Sequence, residues 1–300
     1  MRCQLNHLDN LEHEAIYIIR EALSQFSRIA LLFSGGKDST VLFHLLRKAI
    51  YPAKSGVFLL HIDTGHNFPE TLEFRDKIAK KHEFKIIIKQ VEDSIKQGKT
   101  AETAGDIPSR NSCQSITLLN AIEELKIDAC LCGARRDEEK ARAKERIFSL
   151  RNSFGEWNPK KQRPEFWNLF NGRKATDEHF RIFPLSNWTE EDIWLYIKKE
   201  NIELPSLYFS HEREVFKHQG NIYAMSQFIQ FLQKPPTEIL NIRYRTVGDM
   251  TCTSAFESPA KSISEIIKEI QNSKVSERSS RIDDKGSDTA MEDRKKVGYF

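Results

Sequence analysis

The residues best suited to chemistry are Ser34-Gly35-Gly36-Lys37-Asp38-Ser39-Thr40, a run of two adjacent glycines, a cation, a carboxylate and three hydroxyls. Adjacent glycines let a backbone turn sharply and bring its N–H groups against an anion. A helix beginning at such a turn adds the positive end of its dipole. In this loop Lys37 is placed to neutralise phosphate charge and Ser34 and Ser39 to supply hydroxyl contacts. Gly35 and Gly36 permit close backbone approach, and Asp38 is placed to orient the lysine or a magnesium shell. The common kinase and GTPase loop is excluded, because Leu31 stands where its first glycine belongs and Asp38 follows the lysine.

Two further clusters carry polar chemistry. Asp63-Thr64-Gly65 closes an apolar run, and Asp63 either accepts hydrogen bonds from a ribose or a metal-bound water, or makes an Asx-turn that caps the next helix. Gly65 would let an adenosine lie against the backbone. His61, Asp63 and His66 form an incomplete ligand set, so no transition-metal site is expected. The run from Gly133 to Arg146 reads as a helix. At about 100° per residue, Arg142 and Arg146 each fall within about 20° of Arg135, with Lys140 and Lys144 on the far side. Paired guanidiniums suit a tetrahedral oxyanion and the charge that develops on a transferred phosphate. The competing reading is a solvated charged face with i,i+4 pairs.

The elements that must position these residues are legible as alternation. Residues 28–33, 56–62, 84–91 and 128–133 are short apolar runs, separated by helix-like stretches at 39–50, 69–82 and 112–126. Such alternation predicts an α/β fold, an open parallel sheet with helices on both faces, whose ligands lie at the strands' carboxyl ends. An amphipathic helix over 9–25 precedes it. After a loop-rich stretch from about 150, a strand at 180–185 and a helix opening at Thr189 complete the domain. Three parts follow: an N-terminal helix (1–27), a nucleotide-binding domain (28–205) and a loop- and helix-rich C-terminal extension (206–300). The extension, expected to dock a partner, has helices expected at 222–233 and 262–271 and a polar tail suited to docking or motion.

Composition bounds the class. The 300 residues carry 46 basic and 43 acidic side chains, for a net charge of +3, which argues against a general nucleic-acid binder. Cys3, Cys113, Cys130, Cys132 and Cys252 are odd in number and have no C-x-x-C pair, as expected of reduced thiols in a cytoplasmic protein. No apolar run reaches membrane-spanning length.

FSGGKDST resembles the pyrophosphate-loop signature of the adenine-nucleotide α-hydrolase-like superfamily. Together with HIDTGHNFPETLEFRD, CGARRDEEKARAKER, RIFPLSNWTEEDIWLYI, RYRTVGD and the terminal KKVGYF, it is similar over nearly the whole chain to the small subunits of heterodimeric bacterial sulfate adenylyltransferases. That resemblance implies a subunit that binds ATP, with Mg²⁺, and transfers AMP to sulfate with release of pyrophosphate. A GTPase large subunit would couple GTP hydrolysis to the reaction. It maps Ser34 to Ser39 to the phosphates, Asp63 to Gly65 to the nucleoside, and Arg135 to Arg146 to the anion. GDMTCTSAFES departs from the Gly-Cys-Trp-Pro-like turn more frequent there. A phosphoadenylyl-sulfate reductase shares the core but needs a nucleophilic cysteine, for which Cys252 is the candidate. A tRNA-thiolating relative would need paired cysteines, and a non-catalytic nucleotide-holding module is the alternative outside the enzymes.

Overall fold

The computed structural model describes residues 5–273, except positions 54, 104, 106, 230 and 232–234, together with Glu277. Helix α1 (His7–Gln25) starts at a reciprocal cap. The Asn6 side chain accepts from the Asp9 N–H while Asp9 accepts from the Asn6 N–H. Leu11, Ala15, Ile18, Ile19 and Ala22 form its buried face.

The chain then alternates: β1 (Ile29–Leu32), α2 (Lys37–Ile50), β2 (Phe58–Asp63), α3 (Pro69–Lys81), β3 (Ile86–Gln90), α4 (Val91–Lys96), α5 (Asn111–Leu125), β4 (Ala129–Leu131), α6 (Lys140–Ala143), β5 (Phe148–Arg151), β6 (His179–Ile182) and α7 (Glu190–Glu200). These strands make one sheet of order β3-β2-β1-β4-β6-β5. All its pairings are parallel except β5 against β6. Successive residues of a strand face opposite sides. Ile29 and Leu31 therefore pack among α1, α2 and α7, while Ala30 joins Leu60, Cys130 and the Leu118 and Ile122 face of α5. Burial on both faces explains the continuous apolar runs. The order reverses direction at β1, with β2 on one side and β4 on the other, which opens a crevice at their carboxyl ends.

The sequence reading needs correction beyond the core. Residues 222–233 do not form a helix: β8 (Asn221–Ala224) pairs antiparallel with β7 (His211–His218), which also pairs with β9 (Thr237–Arg243), and β10 (Phe256–Glu257) completes a second sheet of order β10-β9-β7-β8. The hairpin buries Val215, Phe216 and Tyr223 and leaves charged residues outward, so cross-strand packing overrides the local helical spacing. Helix α8 (Ile263–Asn272) forms near its expected place. The tail after it lies outside the described residues, apart from Glu277. No helix among the described residues is long and apolar enough to cross a membrane.

Candidate functional site

At the end of β1 the Phe33 N–H donates to the Leu60 carbonyl, and the chain then turns through Ser34, Gly35 and Gly36 into α2. Gly35 has φ +77°, and a Cβ there would stand 2.9 Å from Thr71 Cγ2 and 3.3 Å from the Thr71 carbonyl oxygen. Both conformation and space therefore require glycine. The turn is knitted by its own hydroxyls. Ser34 Oγ accepts from the Gly36 N–H at 3.2 Å and lies 3.1 Å from Ser39 Oγ, and Ser39 donates to the Gly36 carbonyl at 2.9 Å. The Lys37 N–H donates to the Tyr208 hydroxyl at 2.8 Å, joining the loop to the segment after α7.

A second loop, leaving β4, closes on this one. A Cβ at Gly133 would lie 3.1 Å from the Asp38 carbonyl carbon and 3.2 Å from the Ser39 nitrogen, so the missing side chain allows backbone to meet backbone. That approach brings Arg135 to the phosphate loop, where its Nε donates to Asp38 Oδ1 at 2.8 Å. Lys37 Nζ donates to the other oxygen, Oδ2, at 2.9 Å. Asp38 thus orients both cations. Glu277 completes the set, accepting from Lys37 Nζ through one oxygen and from Arg135 through the other.

Two cations and two carboxylates are therefore gathered at the start of α2. Lys37 and Arg135 are each 1% exposed, so their charges are tolerable only in pairs. Burial opposes the charge on Lys37, but Asp38 and Glu277 outweigh it and hold the ammonium above the ordinary lysine range. Burial opposes the charge on Asp38 as well, and Lys37 and Arg135 outweigh it to hold that carboxyl below its usual range. For Glu277 burial dominates and its pKa is raised.

Beside the cluster lies a cavity of about 230 Å³, walled by Ser34–Ser39 without Gly35, by His61, Ile62 and Asn67, by Cys132, Glu138 and Arg142, and by Thr246–Asp249. Asn111, Gln114 and Cys252 line it too. Arg142 Nη1 donates to Glu138 Oε2 at 2.7 Å on its wall.

The arginine stripe does not exist as a helix. Arg135 is extended, a three-residue 3₁₀ turn follows at Arg136–Glu138, and α6 spans four residues. Residues 135–146 offer no apolar stripe at helical spacing to hold a longer helix against the core. The three arginines consequently separate: Arg135 sits in the buried cluster, Arg142 lines the cavity, and Arg146 is exposed and outside it.

Asp63 Oδ1 accepts from the Gly65 N–H at 2.8 Å, an Asx-turn, and its Oδ2 faces Gln90 and Arg75. Thr64 Oγ1 donates to Asp249 Oδ1 at 2.6 Å. Gly65 has φ +76°, and a Cβ there would meet Arg110 Nη1 at 2.9 Å. Asp63, Thr64 and Gly65 do not themselves line the cavity; His61, Ile62 and Asn67 of the same segment do. Sequence reasoning missed Tyr208, Asp249 and Glu277, which reach the site from the C-terminal third through tertiary contacts. Gly133 was legible as a glycine closing an apolar strand, but its close approach to Asp38 was not.

The family model described as "Phosphoadenosine phosphosulfate reductase domain" matches residues 28–255. The sulfate adenylyltransferase subunit 2 of Mycolicibacterium gilvum (strain PYR-GCK) is 52% identical over 300 residues, covering 100% of this chain and 96% of that protein. The protein of the same name from Mycobacterium tuberculosis (strain ATCC 25618 / H37Rv) is 50% identical over 298 residues, covering 99% and 96%. The chain belongs to the phosphoadenosine phosphosulfate reductase domain family and, within it, to the sulfate adenylyltransferase subunit 2 proteins.

Proposed function

We propose that this family member is the AMP-transferring subunit of a sulfate adenylyltransferase: a sulfate oxygen attacks the α-phosphorus of ATP in line, pyrophosphate leaves, and adenylyl sulfate forms. The observation that carries the reading is the seat taken by Glu277, a carboxylate held jointly by Lys37 and Arg135 at the phosphate loop. A site that holds one anion between two buried cations is matched to the phosphates of ATP. With Glu277 withdrawn, Lys37 keeps Asp38 and Arg135 keeps Asp38, Asp137 and Glu138, and the donor atoms that held the Glu277 oxygens are free for the ligand.

On this reading the loop N–H groups and Lys37 bind the departing pyrophosphate, while Ser34 and Ser39 contribute hydroxyls. Arg135, fixed by Asp38, stabilises charge on the transferred phosphate, and Arg142 across the cavity orients sulfate. Sulfate is fully ionised at neutral pH, so the attack needs no general base. Mg²⁺ bound with the triphosphate supplies further charge neutralisation, and Asp38 and Glu138, both on the cavity wall, are the carboxylates placed to hold its shell. The nucleoside lies toward the segment from His61 to Asn67, with Asp63, Thr64 and Gly65 shaping that turn from behind. Cys252 is buried against the Asp249 carbonyl and has no part in the transfer. The large subunit that couples the reaction is a GTPase.

Sulfate-dependent release of pyrophosphate from ATP, measured with the chain assembled on that GTPase in the presence of GTP, tests the proposal. Release that ignores sulfate, or that survives Arg135→Ala in a folded protein, would remove it.

A further inference from the structure

Beyond α7 the chain reaches Pro205 and closes one turn of 3₁₀ helix over Ser206–Tyr208, in which the Tyr208 N–H donates to the Pro205 carbonyl at 3.3 Å. Two neighbours in that turn enter different cores. Leu207 packs with Val215 and Ile242 of the second sheet, and its carbonyl accepts from the Tyr244 N–H at 2.9 Å. Tyr208 enters the main core, where its ring meets Trp194 nearly edge-on with centroids 5.7 Å apart and is 1% exposed. The hydroxyl stands at the phosphate loop, accepting from the Lys37 N–H at 2.8 Å. A Cβ on Gly36 would lie 3.4 Å from it and 3.3 Å from Ser34 Oγ, so two hydroxyls flank the notch that this glycine leaves open on the cavity wall.

A phenol can donate one proton and accept through its oxygen. Lys37 uses the acceptor side, and among the described residues that bond is the hydroxyl's only one, which leaves the proton to be donated. An apolar ring would fill the core equally well, whereas a buried phenol calls for a partner at its polar tip. Burial holds the Tyr208 pKa above the ordinary tyrosine range although Lys37 draws it down, so the hydroxyl keeps its proton. Gly36, at the capping position of α2, supplies no side-chain oxygen, and the Lys37 N–H at the positive end of that helix bonds the phenol instead. A hydroxyl that accepts from such an N–H is polarised into a stronger donor.

We infer that Tyr208 touches the substrate: its hydroxyl donates to a non-bridging oxygen of the phosphates that leave as pyrophosphate, relaying the Lys37 N–H to the anion. The inference deepens the AMP-transfer reading and rests on it for the identity of the ligand. No bond to Tyr208 is made or broken, and its proton stays on the phenol oxygen throughout.

Calorimetry of the full chain with inorganic pyrophosphate, ATP and adenosine tests this. Tyr208→Phe keeps the ring against Trp194 and should weaken pyrophosphate and ATP about tenfold, the scale of a hydrogen bond to a charged group, with adenosine binding unchanged. A ring-fluorinated tyrosine at position 208 is a stronger donor and a weaker acceptor than tyrosine, so it should tighten pyrophosphate binding. A residue that only caps the Lys37 N–H would not do so. Unchanged pyrophosphate affinity in a folded Tyr208→Phe protein, or binding by the fluorinated protein no tighter than wild type, would overturn the inference. These measurements need neither sulfate nor the companion subunit. Wild type that binds pyrophosphate, yet shows no sulfate-dependent release of it when assembled, would overturn the AMP-transfer reading alone. Wild type that binds neither pyrophosphate nor ATP would overturn both.

Discussion

Replacing Arg142 with alanine separates a sulfate-binding cavity from a merely charged surface. Arg142 stands on the cavity wall with its side chain 11% exposed and donates to Glu138 at 2.7 Å, whereas Arg146 is exposed and outside the cavity. A charge-assisted hydrogen bond to a dianion contributes about 1.5–3 kcal/mol. Because Glu138 already offsets part of the Arg142 charge, the lower part of that range applies, about 1.5–2 kcal/mol. At 1.4 kcal/mol per decade, the KM for sulfate should rise roughly ten- to thirtyfold. The KM for ATP should change by less than about threefold, and Arg146→Ala should leave both within about twofold, as surface substitutions do. The assay is pyrophosphate release from the assembled enzyme with GTP present, with sulfate and ATP varied in turn. Equal effects of the Arg142 and Arg146 substitutions, or a rise confined to ATP, would refute the placement of sulfate beside Arg142.

Lys37→Ala should weaken ATP at least tenfold but leave adenosine binding nearly intact, since only the phosphates need the cation; calorimetry with both ligands shows whether the losses differ. Gly133→Ala pushes a methyl group to 3.1 Å from the Asp38 backbone, so ATP affinity should fall about tenfold with little loss of melting temperature, whereas unchanged affinity would mean that the two loops have room to part. Cys252→Ser should leave adenylyl transfer intact, and a loss beyond about a hundredfold in a folded protein would revive a thiol-dependent reaction. Acid should destabilise the fold through two buried histidines. Burial lowers the pKa of His61 to about 4 and of His179 to about 2, against an ordinary 6.5. The unfolded chain therefore binds more protons below pH 6.5, and each histidine removes about 1.4 kcal/mol of stability per pH unit from 6.5 down to its folded pKa. Urea unfolding at pH 7 and 5.5 should show this slope, and His61→Gln should flatten it only in part, because burial also lowers the pKa of His44, His66 and His82.

Much of the core was legible because interior parallel strands announce themselves. Residues 28–33 and 56–62 are continuous apolar runs, and Thr189 with Asp192 forms a reciprocal cap at the start of α7. The phosphate loop was legible for a related reason: only glycine meets the demands at Gly35, and glycine is visible in a sequence. The missed elements hide where charge is buried. β5 reads as Phe-Ser-Leu-Arg, yet Arg151 is buried against Glu145, an ion pair that local hydrophobicity does not register. β7 reads as His-Glu-Arg-Glu-Val-Phe-Lys-His, with its only apolar residues, Val215 and Phe216, adjacent and no period-two alternation to mark a strand, and its partners lie in β8 and β9. The arginine run failed as a helix because periodicity was counted over charges, which place no demand on a core. Tyr208, Asp249 and Glu277 reach the cavity only through the tertiary fold; the extension, expected to dock a partner, roofs the cavity in its described part.

The fate of the α-phosphate tests the central claim most directly. ATP labelled at that position is supplied with sulfate and GTP to the chain assembled on its GTPase subunit, and the products are separated. The label should appear in adenylyl sulfate in an amount matching the pyrophosphate released, and Lys37→Ala should abolish both together. Label that stays in ATP, or that is recovered as AMP without adenylyl sulfate, would contradict AMP transfer to sulfate at this loop.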